Sequence, residues 1–367
     1  MCPAALAVRS RFVGARSPDL RYVPYGELAC GGGDRGGAGG AVPNVVVDGS
    51  PTEGTLLCLS HWPGIGSPAA FAADLSAEMA FSYLGAFDQH DGAAVVSNNH
   101  FDQDGLVGVF ALASPDAALA RRALLVEVAR AGDFAVTTSR EAARISMVLS
   151  AYADPERSPL EDPPDDYDAL SALLYSELLG RLPELCDRLD RLGSLRALWA
   201  DEDATLTASE DALAAGSVRI DEVPELDLAV VDVDPSAPDG GGHRFGGQWV
   251  SGLHPIALHG ATERGALLTR RGAHYELAYR YESWVQFRTR PIRARVDLVP
   301  LAALLTEAER GAGGDAEWAA TAVSGLTPTL APAARAESAL APSVVRELVE
   351  GHLRASPPAW DPYRITR

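Results

Sequence analysis

The sequence predicts an α/β protein with a mostly parallel sheet covered by helices on both faces, followed by a smaller α+β C-terminal domain. Short apolar runs alternate with helix-like stretches between residues 45 and 155. Several of these runs end in polar or acidic residues, as strands do at the edge of a parallel sheet. Beyond residue 217 the period changes to closely spaced strand-like runs separated by Gly-containing turns.

The elements of the α/β domain can be assigned in order. Residues 1–44 are expected to be an irregular N-terminal segment with a Gly-rich loop. A helix is predicted over residues 67–83, because apolar side chains recur there at every fourth position. Strands are predicted at 44–48, 55–59 and 93–97, and further helices at 106–112, 118–131 and 140–152. These elements define an α/β metal-binding domain over residues 45–155.

The remainder of the chain divides into three segments. A stretch rich in Pro and acidic residues leads into a helical connection, residues 156–216. The smaller α+β domain is expected over residues 217–300. Residues 301–367 are expected to form a helical and irregular tail.

Composition restricts the partners of this protein. The 367 residues carry a formal net charge of −19, and all 31 basic residues are Arg. Such acidity repels a phosphate backbone, so no long nucleic acid is expected as a partner. No apolar run approaches the ~18 residues that a membrane helix needs, and no signal peptide is expected. The 4 cysteines are scattered without a CxxC pair, which favours free thiols and a cytoplasmic location.

The strongest chemical motif follows the strand at 93–97. His100, Asp102 and Asp104 stand at alternate positions before Gly105. In an extended chain, residues two apart point the same way, so three ligand-type side chains can face one space. Carboxylate and imidazole groups bind Mn²⁺ or Mg²⁺. A structural alternative is a polar loop whose Asp side chains cap the next helix.

EF-hand proteins and haloacid-dehalogenase-type phosphatases carry motifs related to the His100–Asp104 run. An EF-hand would need a bidentate carboxylate where Ala111 stands, so it is excluded. The run from Asp102 to Leu106 is similar to the nucleophile motif of haloacid-dehalogenase-type phosphatases. That resemblance is incomplete, because Leu106 occupies the position of a Thr and the chain contains no Lys.

The segment Val95–Leu112 resembles the first motif of the DHH-type phosphoesterase superfamily. An apolar strand, the His-x-Asp-x-Asp-Gly run and a helix rich in small residues follow one another in both. The resemblance implies a Mn²⁺-dependent hydrolase of phosphodiesters or phosphoanhydrides. It also implies a further metal ligand at Asp133, which ends an apolar helix in a Gly-Asp pair.

The chain departs from this superfamily in one respect. The Asp-His-His triplet that should follow the first motif does not occur. The nearest equivalent is a strand that ends at His61, before the first motif, so the order of elements is altered and His61 is a candidate ligand. As a whole, the chain also resembles an uncharacterised bacterial family with the strings SHWPG, NNHFDQDGLV and YESWVQ.

Candidate substrate-binding residues lie in the second half. His254 and His259 flank a short apolar segment, and Arg264 follows it. An Arg fork suits an anionic group, so these residues are predicted to bind the substrate's anion.

We therefore expect a metal-dependent phosphoesterase for a small phosphorylated or nucleotide-like substrate. The alternatives are a non-catalytic DHH-like protein that binds a ligand or partner, and a haloacid-dehalogenase-type phosphatase. Convergence of four or more ligand groups in space would favour the enzyme, since a two-metal site needs about that many.

Overall fold

The computed structural model describes residues 20–28, 41–85, 92–237, 239–240 and 250–365. The predicted Gly-rich loop lies outside these residues. The described strands are β1 Arg21–Tyr22, β2 Asn44–Val47, β3 Thr55–Leu59, β4 Val95–Ser97, β5 Val218–Val223, β6 Leu228–Val233, β7 Ala266–Arg271, β8 His274–Tyr279, β9 Trp318–Ala320 and β10 Thr329–Pro332. The described α-helices are α1 Ser76–Gly85, α2 Gln103–Ala113, α3 Pro115–Leu119, α4 Arg122–Asp133, α5 Arg140–Ala153, α6 Tyr167–Arg188, α7 Ala200–Ala214, α8 Pro255–Gly260, α9 Val299–Gly311 and α10 Pro342–Ala355.

The first sheet is parallel throughout. Its four strands lie in the order β1-β4-β2-β3, so β2 is hydrogen-bonded to both β4 and β3. The α/β class is thereby confirmed. The N-terminal segment, predicted to be mostly irregular, contributes one short strand to the sheet, because β1 pairs with β4. A strand of two residues carries too short a pattern to be recognised in sequence.

Helices α1 and α2 pack on this sheet through one continuous core. Val45, Val47 and Val96 belong to that core, together with apolar residues of α1, α2, α4 and α5. Helix α2 is buried along almost its whole length. Val95 points to the opposite face, because side chains alternate along a strand. There it packs in a small cluster with residues of the segment 23–28.

The second sheet has six strands in the order β5-β6-β7-β8-β10-β9. Its neighbours are antiparallel except for β6 and β7, which are parallel. One face packs against α9 and α10, and the other packs against residues of α7 and α8. The tail is therefore not simply helical and irregular as predicted, since β9 and β10 complete this sheet. Their pairing is long-range, and three or four residues show too little periodicity to indicate it.

Helices α6 and α7, with short 3₁₀ turns between them, occupy most of the predicted helical connection. In the part of the chain that the structure describes, no helix combines the length and the apolar character that crossing a membrane requires.

Candidate metal centre

Polar side chains gather at the carboxyl ends of three neighbouring strands. Asp48 directly follows β2, His61 follows β3, and the His100–Asp104 run follows β4. Because β4, β2 and β3 are adjacent and parallel, their carboxyl ends meet at one edge of the sheet. Asp133, the last residue of α4, reaches the same place. The fold thus assembles groups that are far apart in the sequence.

Asp48 lies at the centre of this cluster. Its Oδ1 is 3.4 Å from Nε2 of His61, and its Oδ2 is 3.3 Å from Nε2 of His100. His100 Nε2 is also 2.9 Å from Oδ2 of Asp102, and His61 Nε2 is 3.5 Å from Oδ2 of Asp133. One carboxylate therefore contacts both imidazoles.

Two groups of potential ligands share Asp48. One consists of Asp48, His100 and Asp102, and the other of Asp48, His61 and Asp104. Within each group the ligand atoms lie within 4.8 Å of one another. A carboxylate shared by two ligand sets can serve a pair of divalent cations, since one anion can then neutralise charge on both.

The orientation of His61 is fixed by a backbone contact. Its Nδ1 lies 2.5 Å from the carbonyl oxygen of Asp74, so Nδ1–H donates there and Nε2 keeps its lone pair. Nε2 is the atom that faces Asp48 and Asp133. A hydrogen bond of this kind is common for metal-binding His, because it sets the tautomer and the ring orientation.

Asp102 and Asp104 also cap helices. Asp102 Oδ1 accepts a hydrogen bond from the Gly105 amide at the start of α2, at 2.8 Å. The two oxygens of Asp104 accept from the Ser76 and Ala77 amides at the start of α1, at 2.7 and 2.8 Å. The helix-cap interpretation of the motif is therefore correct, and it does not exclude ligation, because each carboxylate oxygen has a second lone pair.

The cluster holds more negative charge than its surroundings neutralise. Burial, followed by the neighbouring carboxylates of Asp48 and Asp102, raises the pKa of Asp104 well above its ordinary value. Burial, followed by the carboxylates of Asp104, Asp102 and Asp48, also raises the pKa of Asp133 well above its ordinary value. Burial opposes charge on His100, but the adjacent Asp102 and Asp48 raise its pKa well above the ordinary value. The buried Asp48 still has a lowered pKa, because His100 and His61 stabilise its anion.

Two carboxylate oxygens in this cluster have no hydrogen-bond partner: Oδ2 of Asp48 and Oδ2 of Asp133. The side chains of these residues are 1% and 4% exposed. Buried polar atoms are almost always satisfied, so these two oxygens make the cluster a candidate site for a cation. The donor set of carboxylate and imidazole fits Mn²⁺ or Mg²⁺.

Two glycines permit this close packing of loops. A Cβ on Gly49, after β2, would lie 2.2 Å from Oδ1 of Asn99, in the loop after β4. A Cβ on Gly105 would lie 2.0 Å from Nδ2 of Asn98. A larger residue at either position would displace the side chain of Asn99 or Asn98, which lies next to His100.

The cluster opens into a cavity of about 780 Å³ between the two sheets. One wall comes from the parallel sheet with its helices, called the first region, and includes Trp62, His100, Asp102 and Asp133. The other wall comes from the six-stranded sheet with its helices, called the second region, at residues 278–282 and 326–329. Cavities of this size, roughly 300–1,000 Å³, typically hold small molecules.

Residues 286–289, which follow β8, form hydrogen bonds with His61 and Asp74 of the candidate metal centre. The Gln286 amide donates to the carbonyl of His61 at 2.8 Å. Asp74 Oδ1 accepts from the backbone amides of Arg288 and Thr289, and its carbonyl holds His61. The hydroxyl of Tyr281 lies 3.5 Å from His61 Nε2. One residue, Asp74, thereby links the orientation of His61 to the position of the opposite wall.

The structure brings all five predicted metal ligands together: His61, His100, Asp102, Asp104 and Asp133. The cluster has a sixth ionisable residue, Asp48, which was not predicted as a ligand from the sequence. The signal was present, since an apolar strand ends directly in Asp48 just as another ends before His100, but a single Asp after a strand is common in turns.

The three predicted substrate-binding residues separate in space. His259 lines the cavity, and its Nδ1 lies 2.9 Å from the carbonyl of Phe134. His254 is buried away from the cavity lining, where it caps α8 and contacts Glu202 at 3.3 Å. Arg264 pairs with Glu222 at 3.3 Å. His254 and Arg264 were therefore wrongly assigned to the site, because spacing in sequence does not indicate which side of a helix or loop faces a cleft.

Residues 20–364 match the model of a family of unknown function (DUF6687), and the chain belongs to that family. A search of curated proteins and a search of solved structures found no match.

Proposed function

We propose that this protein is a metal-dependent phosphoesterase that uses Mn²⁺ or Mg²⁺ to hydrolyse a small phosphorylated substrate. The observation that carries the proposal is the shared position of Asp48 in two ligand groups, at the carboxyl ends of parallel strands and beside a cavity. The order of motifs differs from that of DHH-type phosphoesterases. Asp48 and His61 nonetheless add a carboxylate and an imidazole to the His100–Asp104 run.

The residues of the chain have distinct parts in this proposal. Two bound cations would activate water and neutralise the charge of the phosphoryl group during an in-line displacement. Asp48 would bridge them, His100 and Asp102 would hold one, and His61 and Asp104 would hold the other. The α1 amides fix Asp104, and the Asp74 carbonyl fixes His61, so neither needs to reorganise during the reaction.

This proposal is favoured over the two alternatives. Over a non-catalytic binder, the enzyme is supported by the convergence of six ionisable groups at the edge of a cavity that can hold a small molecule. A haloacid-dehalogenase-type reaction is disfavoured by the motif itself, because Leu106 stands at the position of the Thr and the chain contains no Lys.

The test compares Asp48→Asn with Asp168→Asn, a matched change at an exposed position in the first turn of α6. Metal-depleted proteins are titrated with Mn²⁺ and Mg²⁺ by calorimetry, and hydrolysis of generic phosphodiesters and phosphomonoesters is then measured. The wild-type protein and Asp168→Asn should bind about two Mn²⁺ per chain and hydrolyse at least one ester. Asp48→Asn should lose hydrolysis by about 100-fold or more, because the bridging charge is gone.

Three results would count against the proposal. Wild-type protein that binds neither cation has no metal centre. Metal binding without hydrolysis of any ester favours the non-catalytic alternative. Equal activity in Asp48→Asn and Asp168→Asn removes Asp48 from the reaction.

A further inference from the structure

The lining of the cavity bears on the class of substrate. Five aromatic side chains line it, and most of its other walls are aliphatic or small. The aromatic residues are Trp62, Phe101, Phe134, Tyr279 and Tyr281. Trp62 lies next to the metal centre, since its ring centroid is 5.2 Å from that of His100. An aromatic surface therefore begins directly beside the ligands.

Positive charge is scarce on these walls. Among the described residues that line the cavity, Arg280 is the one side chain with a permanent positive charge. It is already engaged: Nη2 is 2.5 Å from Oε1 of Glu282, Nη1 is 2.7 Å from the carbonyl of Thr262, and the side chain is 1% exposed. His259 adds no charge, because burial and the nearby Arg280 lower its pKa well below the ordinary value.

Negative charge is present instead. Beyond the ligands Asp102 and Asp133, the lining includes the carboxylate of Asp154, and also that of Glu282, which is paired with Arg280. A second or third phosphate on a substrate would face these acids and apolar walls, without the Arg or Lys groups that polyphosphate recognition requires. One phosphate at the metal end is compatible with the cavity, and a chain of phosphates is not.

We infer that the substrate carries a single phosphate ester and an uncharged aromatic group that occupies the cavity against Trp62 and the facing Tyr and Phe side chains. This inference rests on the proposed function, because the metal centre is what receives the phosphate. The aromatic group would stack on or meet the edges of the wall rings, the geometries that aromatic pairs prefer.

The experiment measures binding, so that it does not depend on turnover. Full-length protein loaded with Mn²⁺ is titrated by calorimetry with three compounds that it cannot hydrolyse: naphthylmethylphosphonate, methylphosphonate and methylenediphosphonate. The naphthyl compound should bind at least about tenfold more tightly than either of the others, the ratio expected from burying one aromatic group.

A pair of variants links this preference to the cavity. Ala153, at the end of α5, lines the cavity, and Ala153→Phe would fill part of it. Ala214, at the end of α7, is exposed and serves as a matched control. Ala153→Phe should reduce the preference for the naphthyl compound about tenfold, with methylphosphonate and Mn²⁺ binding unchanged, whereas Ala214→Phe should alter none of these.

The outcomes separate the inference from the proposed function. Tighter binding of methylenediphosphonate, or equal binding of the naphthyl and methyl compounds, overturns the inference even where the protein hydrolyses esters. A preference that persists in folded Ala153→Phe places the aromatic group elsewhere and also overturns it. If Ala153→Phe does not fold, the wild-type ratio alone decides. Binding of none of the phosphonates, together with no hydrolysis, removes the proposed function and the inference with it.

Discussion

Both regions of this molecule bury charged side chains, but they do so in opposite ways. In the second region, Arg295 is fully buried and its guanidinium donates to several oxygens. Glu309 is equally buried, and it accepts from the Ser338 hydroxyl and the Ala339 amide. In the first region, Asp48, Asp104 and Asp133 are crowded together, and two of their oxygens lack partners.

The difference shows that burial of charge does not by itself mark a functional site. A buried ion whose hydrogen bonds are complete stabilises one arrangement of the surrounding loops, as Arg295 does for the carbonyls of residues 323–326. Like charges buried side by side raise the free energy of the folded protein unless something else neutralises them. Among the described residues, the carboxylates of Asp48, Asp104 and Asp133 are therefore the ones that a bound cation would stabilise.

Replacement of Arg295 should give the largest change in the free energy of unfolding among the variants proposed for the two regions. Arg295→Met would leave the carbonyls of Val323, Gly325 and Leu326 without their donor, which should lower the free energy of unfolding by about 3–5 kcal/mol. Urea unfolding of the wild-type protein and the variant measures this change in the free energy of unfolding. Arg310→Met, at an exposed position 67% accessible, should change stability by less than about 0.5 kcal/mol. Similar losses in both variants would mean that the bonds of Arg295 contribute no net stability.

Replacement of Asp133 should act in the opposite direction. Asp133→Asn replaces a carboxyl whose ionisation is disfavoured by burial and by neighbouring carboxylates, so the metal-free protein should become more stable by about 1–2 kcal/mol at a pH that ionises Asp133. The stabilisation that Mn²⁺ confers on the wild-type protein should decrease in the same variant, because a ligand is lost. Unfolding in EDTA and in excess Mn²⁺ measures both effects. A variant that is less stable than wild type in EDTA would contradict the view that the centre is strained by like charge.

Glu276 provides the sharpest test, and its expected effect per pH unit is small, because it is a buried carboxyl of the second region without full pairing. Its Oε1 has no hydrogen-bond partner, and burial raises its pKa from 4.5 to about 8. A raised carboxyl pKa favours the folded state at low pH, and this contribution is lost as the pH rises from 4.5 through 8.

Glu276→Gln cannot ionise, so the variant should gain stability relative to wild type across that range, by at most about 1.4 kcal/mol per pH unit. Urea unfolding at several pH values gives the slope. Glu307→Gln, an exposed change in α9, should follow the wild-type curve. If the free energy of unfolding of wild type and of Glu276→Gln changed with pH in the same way, the carboxyl of Glu276 would not have a raised pKa, which would contradict the prediction.

Local sequence predicted the parts of the centre that lie close together in the chain. The alternation of His100, Asp102 and Asp104 after an apolar strand was enough to indicate ligands at a strand's carboxyl end. Asp133 and His61 were reached through a family resemblance, and the structure brings both to the same cluster. His254 and Arg264 show the limit of this approach, since their positions depend on how α8 packs.

The sequence by itself determined the α/β class and one half of the centre, because the direction of neighbouring side chains follows from the local period of the backbone. Only the tertiary structure decided that β2 lies between β4 and β3, and this order makes Asp48 common to both ligand groups. It also decided that residues 278–282 form the facing wall of the cavity. Strand order and the meeting of two sheets arise from contacts between distant segments, which no local pattern specifies.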